Sequence, residues 1–251
     1  MPATSLVRNR PEPGIGSFRS VHLWLLLALI ATLMGFTPGY FLRFGQASWL
    51  QHLHGMTAMA WMALVVVQPW LATRGHLTWH RRIGRVALVL AGMVIGSALA
   101  VLPGNIAKAV APPTDPFVPP AFFYGITFLD LVIVTGFGVA VIMAMLNIRR
   151  PREHALWMVS TVFWVLSPGL ARLVAFGLMF TLGLEGLTLI QIVVAIAFPI
   201  LALLVFLMVY LRQAHPALVL AFIGNCSAFM VRPIGDSESW RRLSEALFLA
   251  Q

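Results

Sequence analysis

Seven histidines are spread along a chain in which only 10% of residues are charged, and their spacing is the first place to look for chemistry. His52 and His54 lie in WLQHLHG, residues 49–55, at the mouth of an apolar stretch. Two residues on a helix subtend about 200°, so at most one of the pair faces any given centre. His52 shares a stripe with Met56 and Met59, and His54 shares one with Ala58 and Trp61. An imidazole above two thioethers can hold copper or heme iron, because soft sulfur suits Cu(I) and a His/Met pair suits heme. The competing reading is an interfacial histidine above lipid-facing methionines.

A second group comprises His76 and His80 in RGHLTWHRRIGR, residues 74–85, and His154 in RRPREHALWM, residues 149–158. With His22 and His215 these fall at one depth, as a bis-histidine heme b requires. They also match headgroup anchors beside an aromatic belt of Trp79 and Trp157. The candidate cofactor ligands are therefore His52, His54, His80 and His154, and the candidate metal ligands are His54, His80 and His154. Asp130 and Arg172 stand inside apolar runs, where an ionisable group costs several kcal/mol unless paired or hydrated. Arg172 can snorkel outward or reach toward Asp130. Together with Gln191, His52 and His54 they place polar groups in one half of the membrane, which is compatible with an outward-facing cavity.

The elements that position these residues are membrane helices. With 60% of residues hydrophobic and a mean hydropathy of +0.89, a soluble fold could not solvate its surface, whereas windows of about 20 uncharged residues match the bilayer core. Spans are expected near 20–40, 48–72, 83–103, 119–147, 154–180 and 188–211, giving an all-α polytopic transmembrane bundle of six helices over 20–211. A mobile cytoplasmic arm occupies 1–19, and 212–251 forms a cytoplasmic, interfacial tail. Within the tail, residues 217–231 supply about 15 apolar residues, short for a span, and so read as an interfacial segment. Residues 237–250 read as a surface helix with Trp240, Leu243 and Leu247 on one face.

The 17 basic against 8 acidic residues give +9, distributed on alternate connections: Arg74, Arg81, Arg82 and Arg85 on one, Arg149, Arg150 and Arg152 on another. This is the positive-inside pattern for six spans in a bacterial inner membrane with both termini cytoplasmic. The charge is accordingly a topology signal and an attraction to anionic headgroups, not a nucleic-acid surface. One cysteine, Cys226, excludes a disulfide framework. The only lysine, Lys108, lies in the connection over 104–118, where Pro112, Pro113 and Pro116 predict an extended loop; a retinal Schiff base within a helix is thereby excluded. No Walker, Rossmann or HExxH pattern occurs in a suitable setting. Gly92 and Gly96 form a small-xxx-small face for helix packing. Pro69, Pro168 and Pro199 free carbonyls at membrane depth, and Ser167-Pro168-Gly169 is compatible with a lined cavity.

The loop motifs carry a resemblance. Residues 50–215 resemble a family of uncharacterised bacterial multi-pass membrane proteins that share His-Arg-x-x-Gly-Arg before the third span and His-x-x-Trp-Met opening the fifth. Here these read His80 to Arg85 and His154 to Met158, with His54-Gly55 and Arg172 at matching places. Ala155 and Ser160 depart from the arginines more common there, which weakens an anion-binding role. A more distant similarity, in histidines on helix ends, is to transmembrane b-type cytochromes. Three functions follow as expectations: an electron-transfer protein holding heme b; a transporter or lipid- or quinone-binding protein using Asp130 and Arg172; and an accessory subunit docking on a membrane-protein partner or a second copy.

Overall fold

Long runs of Leu, Val, Ile, Ala, Phe and Met leave the backbone no polar partner but itself, and in lipid that condition is met by helices. The computed structural model describes residues 20–111, 118–183 and 188–249, and every regular element in them is helical. The elements are α1 (Val21–Phe36), a 3₁₀ turn (Phe41–Gln46), α2 (Trp49–Thr73), α3 (Leu77–Val110), α4 (Pro120–Leu146), α5 (Pro151–Leu182), α6 (Leu189–Tyr210), α7 (Pro216–Cys226), a second 3₁₀ turn (Ser227–Met230), α8 (Val231–Asp236) and α9 (Glu238–Phe248). Residues 1–19, expected as an arm, lie outside the described part.

The helix starts follow from local chemistry. Ser48 and Gln51 form a reciprocal capping box on α2, and Thr188 and Gln191 form another on α6, each satisfying backbone N–H groups that the first turn orphans. Gln191 thus serves as a cap. Proline opens α4, α5 and α7, a position where its missing N–H costs nothing.

Six helical segments are long and apolar enough to cross a membrane: α2, α3, α4, α5, α6 and the run Pro216–Asp236 formed by α7, the second 3₁₀ turn and α8. The protein is therefore a multi-pass helical membrane bundle. The set of six differs from the sequence expectation at both ends. The first apolar helix, α1, has 16 residues and is roughly 24 Å long. Residues 217–231, expected at the interface, lie inside the bundle instead. Ala217, Leu218, Ala221, Ala228 and Val231 are all buried against α4, α5 and α6. Counting apolar residues from Ala217 to Val231 underestimates this crossing, because the helical run extends from Pro216 to Asp236, 21 residues and about 32 Å. Small residues carry the packing. A side chain at Gly125 would collide with the Val231 carbonyl, and one at Gly235 with the Ala121 carbonyl, so α4 and α8 meet backbone to backbone.

This crossing also relocates the tail. α9 docks where α3 ends and α4 begins: Trp240 Nε1 donates to the Tyr124 carbonyl at 2.9 Å, Tyr124 donates to Glu245, and Phe248 packs with Ile106 and Ala109. Arg232 and Arg241 reach Asp236 at 3.7 and 3.2 Å, and Arg242 pairs with Glu238. Trp240 shares its inward face with Ser244 and Phe248, while Leu243 and Leu247 remain exposed, so the apolar stripe expected through all three residues is split.

Two further expectations change. α3 continues through Pro103 to Val110, which makes residues 104–110 of the predicted 104–118 loop helical; Ile106 and Ala109 are buried there, and that burial stabilises the extra turns. Gly92 and Gly96 face open space. The close approach occurs instead between α1 and α5, where a side chain on Gly35 would meet the Gly169 backbone. Trp61, Met62, Phe137, Trp164 and Leu204 fill the centre, and Trp61 Nε1 donates to Thr161 Oγ1 at 3.2 Å, tying α2 to α5.

Candidate functional site

Helices α1 to α7 enclose a cavity of about 580 Å³. Its deep wall is apolar, with Met62, Phe137, Ile133, Trp164 and Ile196. The lining also carries polar side chains from several helices, among them His54 on α2, Asn105 on α3, Asp130 on α4, Ser167 and Arg172 on α5 and Asn225 on α7.

Each is held by its own element. His54 Nδ1 lies 3.3 Å from Ser97 Oγ, and Ser97 in turn lies 3.0 Å from Thr57 Oγ1, a chain that fixes α2 on α3 and turns His54 inward. Asn105 Nδ2 donates to Asp130 Oδ2 at 3.3 Å. Arg172 Nη1 donates to the Pro168 carbonyl at 2.9 Å, and its guanidinium stands 4.6 Å above the Phe36 ring, a cation–π contact. Ser167 Oγ donates to Asn225 Oδ1 at 3.1 Å, while Asn225 Nδ2 donates to the Phe163 and Ala221 carbonyls at 3.3 and 2.9 Å. This knot joins α5 to α7 beside Pro168. Trp164, 1% exposed, lines the cavity too, and its indole N–H has no acceptor among the described residues.

Asp130 and Arg172 are thus brought to one cavity, as the sequence suggests, but not to each other. The four ion pairs among the described residues join other groups, and the partner of Asp130 is Asn105. The carboxylate and the guanidinium face the same space as separate charges. The arrangement can therefore offer acceptors and strong donors to a polar head while an apolar wall receives the rest of a molecule.

The histidines divide among several places. His52, as the 200° spacing requires, turns away from His54: its Nδ1 meets Tyr40 Oη at 2.8 Å and its ring packs 4.2 Å from that of Phe44. Desolvation raises the pKa of the Tyr40 phenol. His80 and His154 lie at the other end of the bundle with ring centroids 6.3 Å apart and planes at 86°. His154 Nδ1 donates to the Ala144 carbonyl at 2.9 Å, and His80 Nδ1 lies 3.3 Å from the Gln68 carbonyl. Since His54 touches Ser97, its separation from His80 is close to the 17-residue rise of α3, roughly 25 Å. His54, His80 and His154 accordingly do not meet at one centre, and no cluster of three or more His, Cys, Asp or Glu able to hold a metal occurs among the described residues.

His215, grouped by sequence with the interfacial histidines, is 1% exposed. Its Nδ1 accepts from the Ala217 N–H at 3.2 Å and its Nε2 meets Glu153 Oε2 at 2.7 Å, so it caps α7 and fastens it to the start of α5. Asn105, Asn225, Ser97 and Trp164 escape sequence reasoning as site residues. Asn105 falls past the expected end of its span and Asn225 inside a segment assigned to the interface, although a lone amide in an apolar run is itself a signal of a buried polar partner. No protein-family model matches this chain, and neither the curated proteins nor the solved structures compared with it provide a match.

Proposed function

We propose that this membrane protein binds an amphiphilic molecule of the lipid or quinone class in its central cavity, for carriage or for presentation to a membrane partner. One observation carries this reading: seven helices contribute to a single space of about 580 Å³ whose lining joins polar side chains, Asn105, Asp130 and Arg172 among them, to an apolar wall. That volume lies within the usual range for small-molecule sites, which are likewise mostly apolar with a few converging polar groups. The end carrying Arg74, Arg81, Arg82, Arg85, Arg149, Arg150 and Arg152 faces the cytoplasm of a bacterial inner membrane, where these arginines attract anionic headgroups. The test is to extract purified protein and quantify bound lipids and quinones by mass spectrometry, beside Ala98→Phe, which fills the cavity from α3. A stoichiometric amphiphile in the wild type that falls severalfold in Ala98→Phe supports the reading. Substoichiometric, unselective lipid in both refutes it.

A second reading, electron transfer by a cytochrome-like subunit, rests on the His80–His154 pair. His154 commits its Nδ1–H to a carbonyl, which leaves Nε2 for a ligand in the manner typical of metal-bound histidine. His80 has Gln68 at its Nδ1. These two side chains are the ones that would hold a heme b, and the heme would supply one-electron chemistry. A reduced-minus-oxidised visible spectrum after expression with ample heme tests it: a b-type spectrum lost in His154→Ala supports it, and a colourless protein excludes it.

A further inference from the structure

Asp130 and Arg172 pose a question that helix packing does not answer. A charge at membrane depth is costly unless it meets an opposite charge or water, and here two opposite charges share a cavity without pairing. The carboxylate, which offers about four lone-pair sites, takes one donor among the described residues, from Asn105. The guanidinium, with five N–H donors, gives one to the Pro168 carbonyl and rests its face on Phe36. Both retain hydrogen-bonding capacity, and the arrangement is electrically a gap between a cation and an anion.

The complement of such a gap is a molecule carrying the same two charges in reverse. A neutral quinone brings carbonyl acceptors that suit Arg172 but turn a lone pair toward Asp130. An anionic head suits Arg172, and Lys108 at the rim of the cavity, but sets like charges together at Asp130. A head with an ammonium beside an anionic group satisfies all of them.

We infer, on the premise that the cavity binds an amphiphile, that its ligand is zwitterionic, with an ammonium on Asp130 and a carboxylate or phosphate on Arg172. The apolar part then lies against Met62, Phe137 and Trp164. Two sources share this chemistry. A free apolar α-amino acid fits the cavity whole, and an aminophospholipid enters with its head and part of a chain.

The test is native mass spectrometry of the full chain in detergent with five probes: leucine, lysophosphatidylethanolamine, its N-acetyl derivative, lysophosphatidylglycerol and a short-chain ubiquinone. The expected result is retention of leucine or of lysophosphatidylethanolamine about tenfold stronger than of the N-acetyl and glycerol lipids, the loss appropriate to one charge-assisted contact. Which of the two is retained identifies the source. Asp130→Asn should erase that preference without abolishing lipid retention; should this variant fail to fold, the comparison of heads on the wild type decides alone. Equal or tighter binding of ubiquinone, lysophosphatidylglycerol or the N-acetyl lipid overturns the zwitterion and leaves the cavity reading standing. Folded protein that retains none of the five overturns both.

Discussion

Gly136 on α4 and Gly224 on α7 both abut the same outer edge of the Trp164 indole, and a side chain on either would overlap its Cη2 and Cζ3 atoms. The perturbation is a methyl group from each side: Gly136→Ala, Gly224→Ala and the pair together. Trp164 is 1% exposed, so the ring has no solvent to swing into. An extra methyl in such a core costs about 1–3 kcal/mol. At about 2–4 °C per kcal/mol for a chain of this size, each single variant should lower the apparent melting temperature by roughly 2–12 °C. A ring pushed by one methyl moves toward the other glycine, so the double variant should exceed the sum by about 0.5–3 kcal/mol, the usual coupling between residues sharing a contact. Trp164→Phe removes the overlapping atoms and should recover most of the loss in the double variant, although it costs stability by itself. The assay is thermal unfolding read by a thiol-reactive fluorophore on Cys226, the single cysteine, which is half-buried next to this contact. Gly224→Ala within about 0.5 kcal/mol of wild type, or a double variant that Trp164→Phe does not rescue, would refute the packing of α7 through the bundle.

Three other outcomes are expected. Because Asp130 is held by Asn105 and not by Arg172, Asn105→Leu should destabilise by about 1–3 kcal/mol, the cost of leaving a buried acceptor unmet, and Arg172→Leu by less; the reverse order in thermal melts would restore the direct Asp130–Arg172 pair. Trp240→Ala removes the hydrogen bond to the Tyr124 carbonyl and the 5.9 Å aromatic contact with Phe128, so α9 should detach, measured as faster proteolysis after residue 236 while the bundle survives; unchanged protection would show that α9 is fastened elsewhere. Tags placed at Gly75 and after residue 251 should report opposite sides of the membrane in an accessibility assay, because five of the membrane-crossing segments lie between them; both on one side would reinstate the interfacial reading of residues 217–231.

Much of this protein is determined by its sequence alone, for reasons of solvent. Composition and the length of uncharged runs require an all-helical membrane bundle, since lipid offers no partner to an unsatisfied backbone. The arginines of residues 74–85 and 149–152 mark one end of it. The intramembrane residues Asp130 and Arg172 stand out because charge at that depth needs a reason, and the structure does place both on one cavity. Spacing also separates His52 from His54 correctly, because helical rotation is a local property.

What the tertiary structure decided depends on partners distant in the chain. Residues 217–231 read as interfacial while their length is counted in isolation; their small residues acquire meaning only against Gly125 of α4 and Trp164 of α5. Arg232, Arg241 and Arg242 find their acidic partners, Asp236 and Glu238, only in the folded helices. Asp130 and Arg172 look like a pair along the sequence, whereas Asn105, on a helix that outruns its predicted end, takes the carboxylate and leaves the guanidinium across an open space. Hydropathy reports how each segment meets lipid, and it is silent on how segments meet each other. Within a bundle that second question is settled by side-chain volume and hydrogen-bond geometry, which no single window of the chain contains.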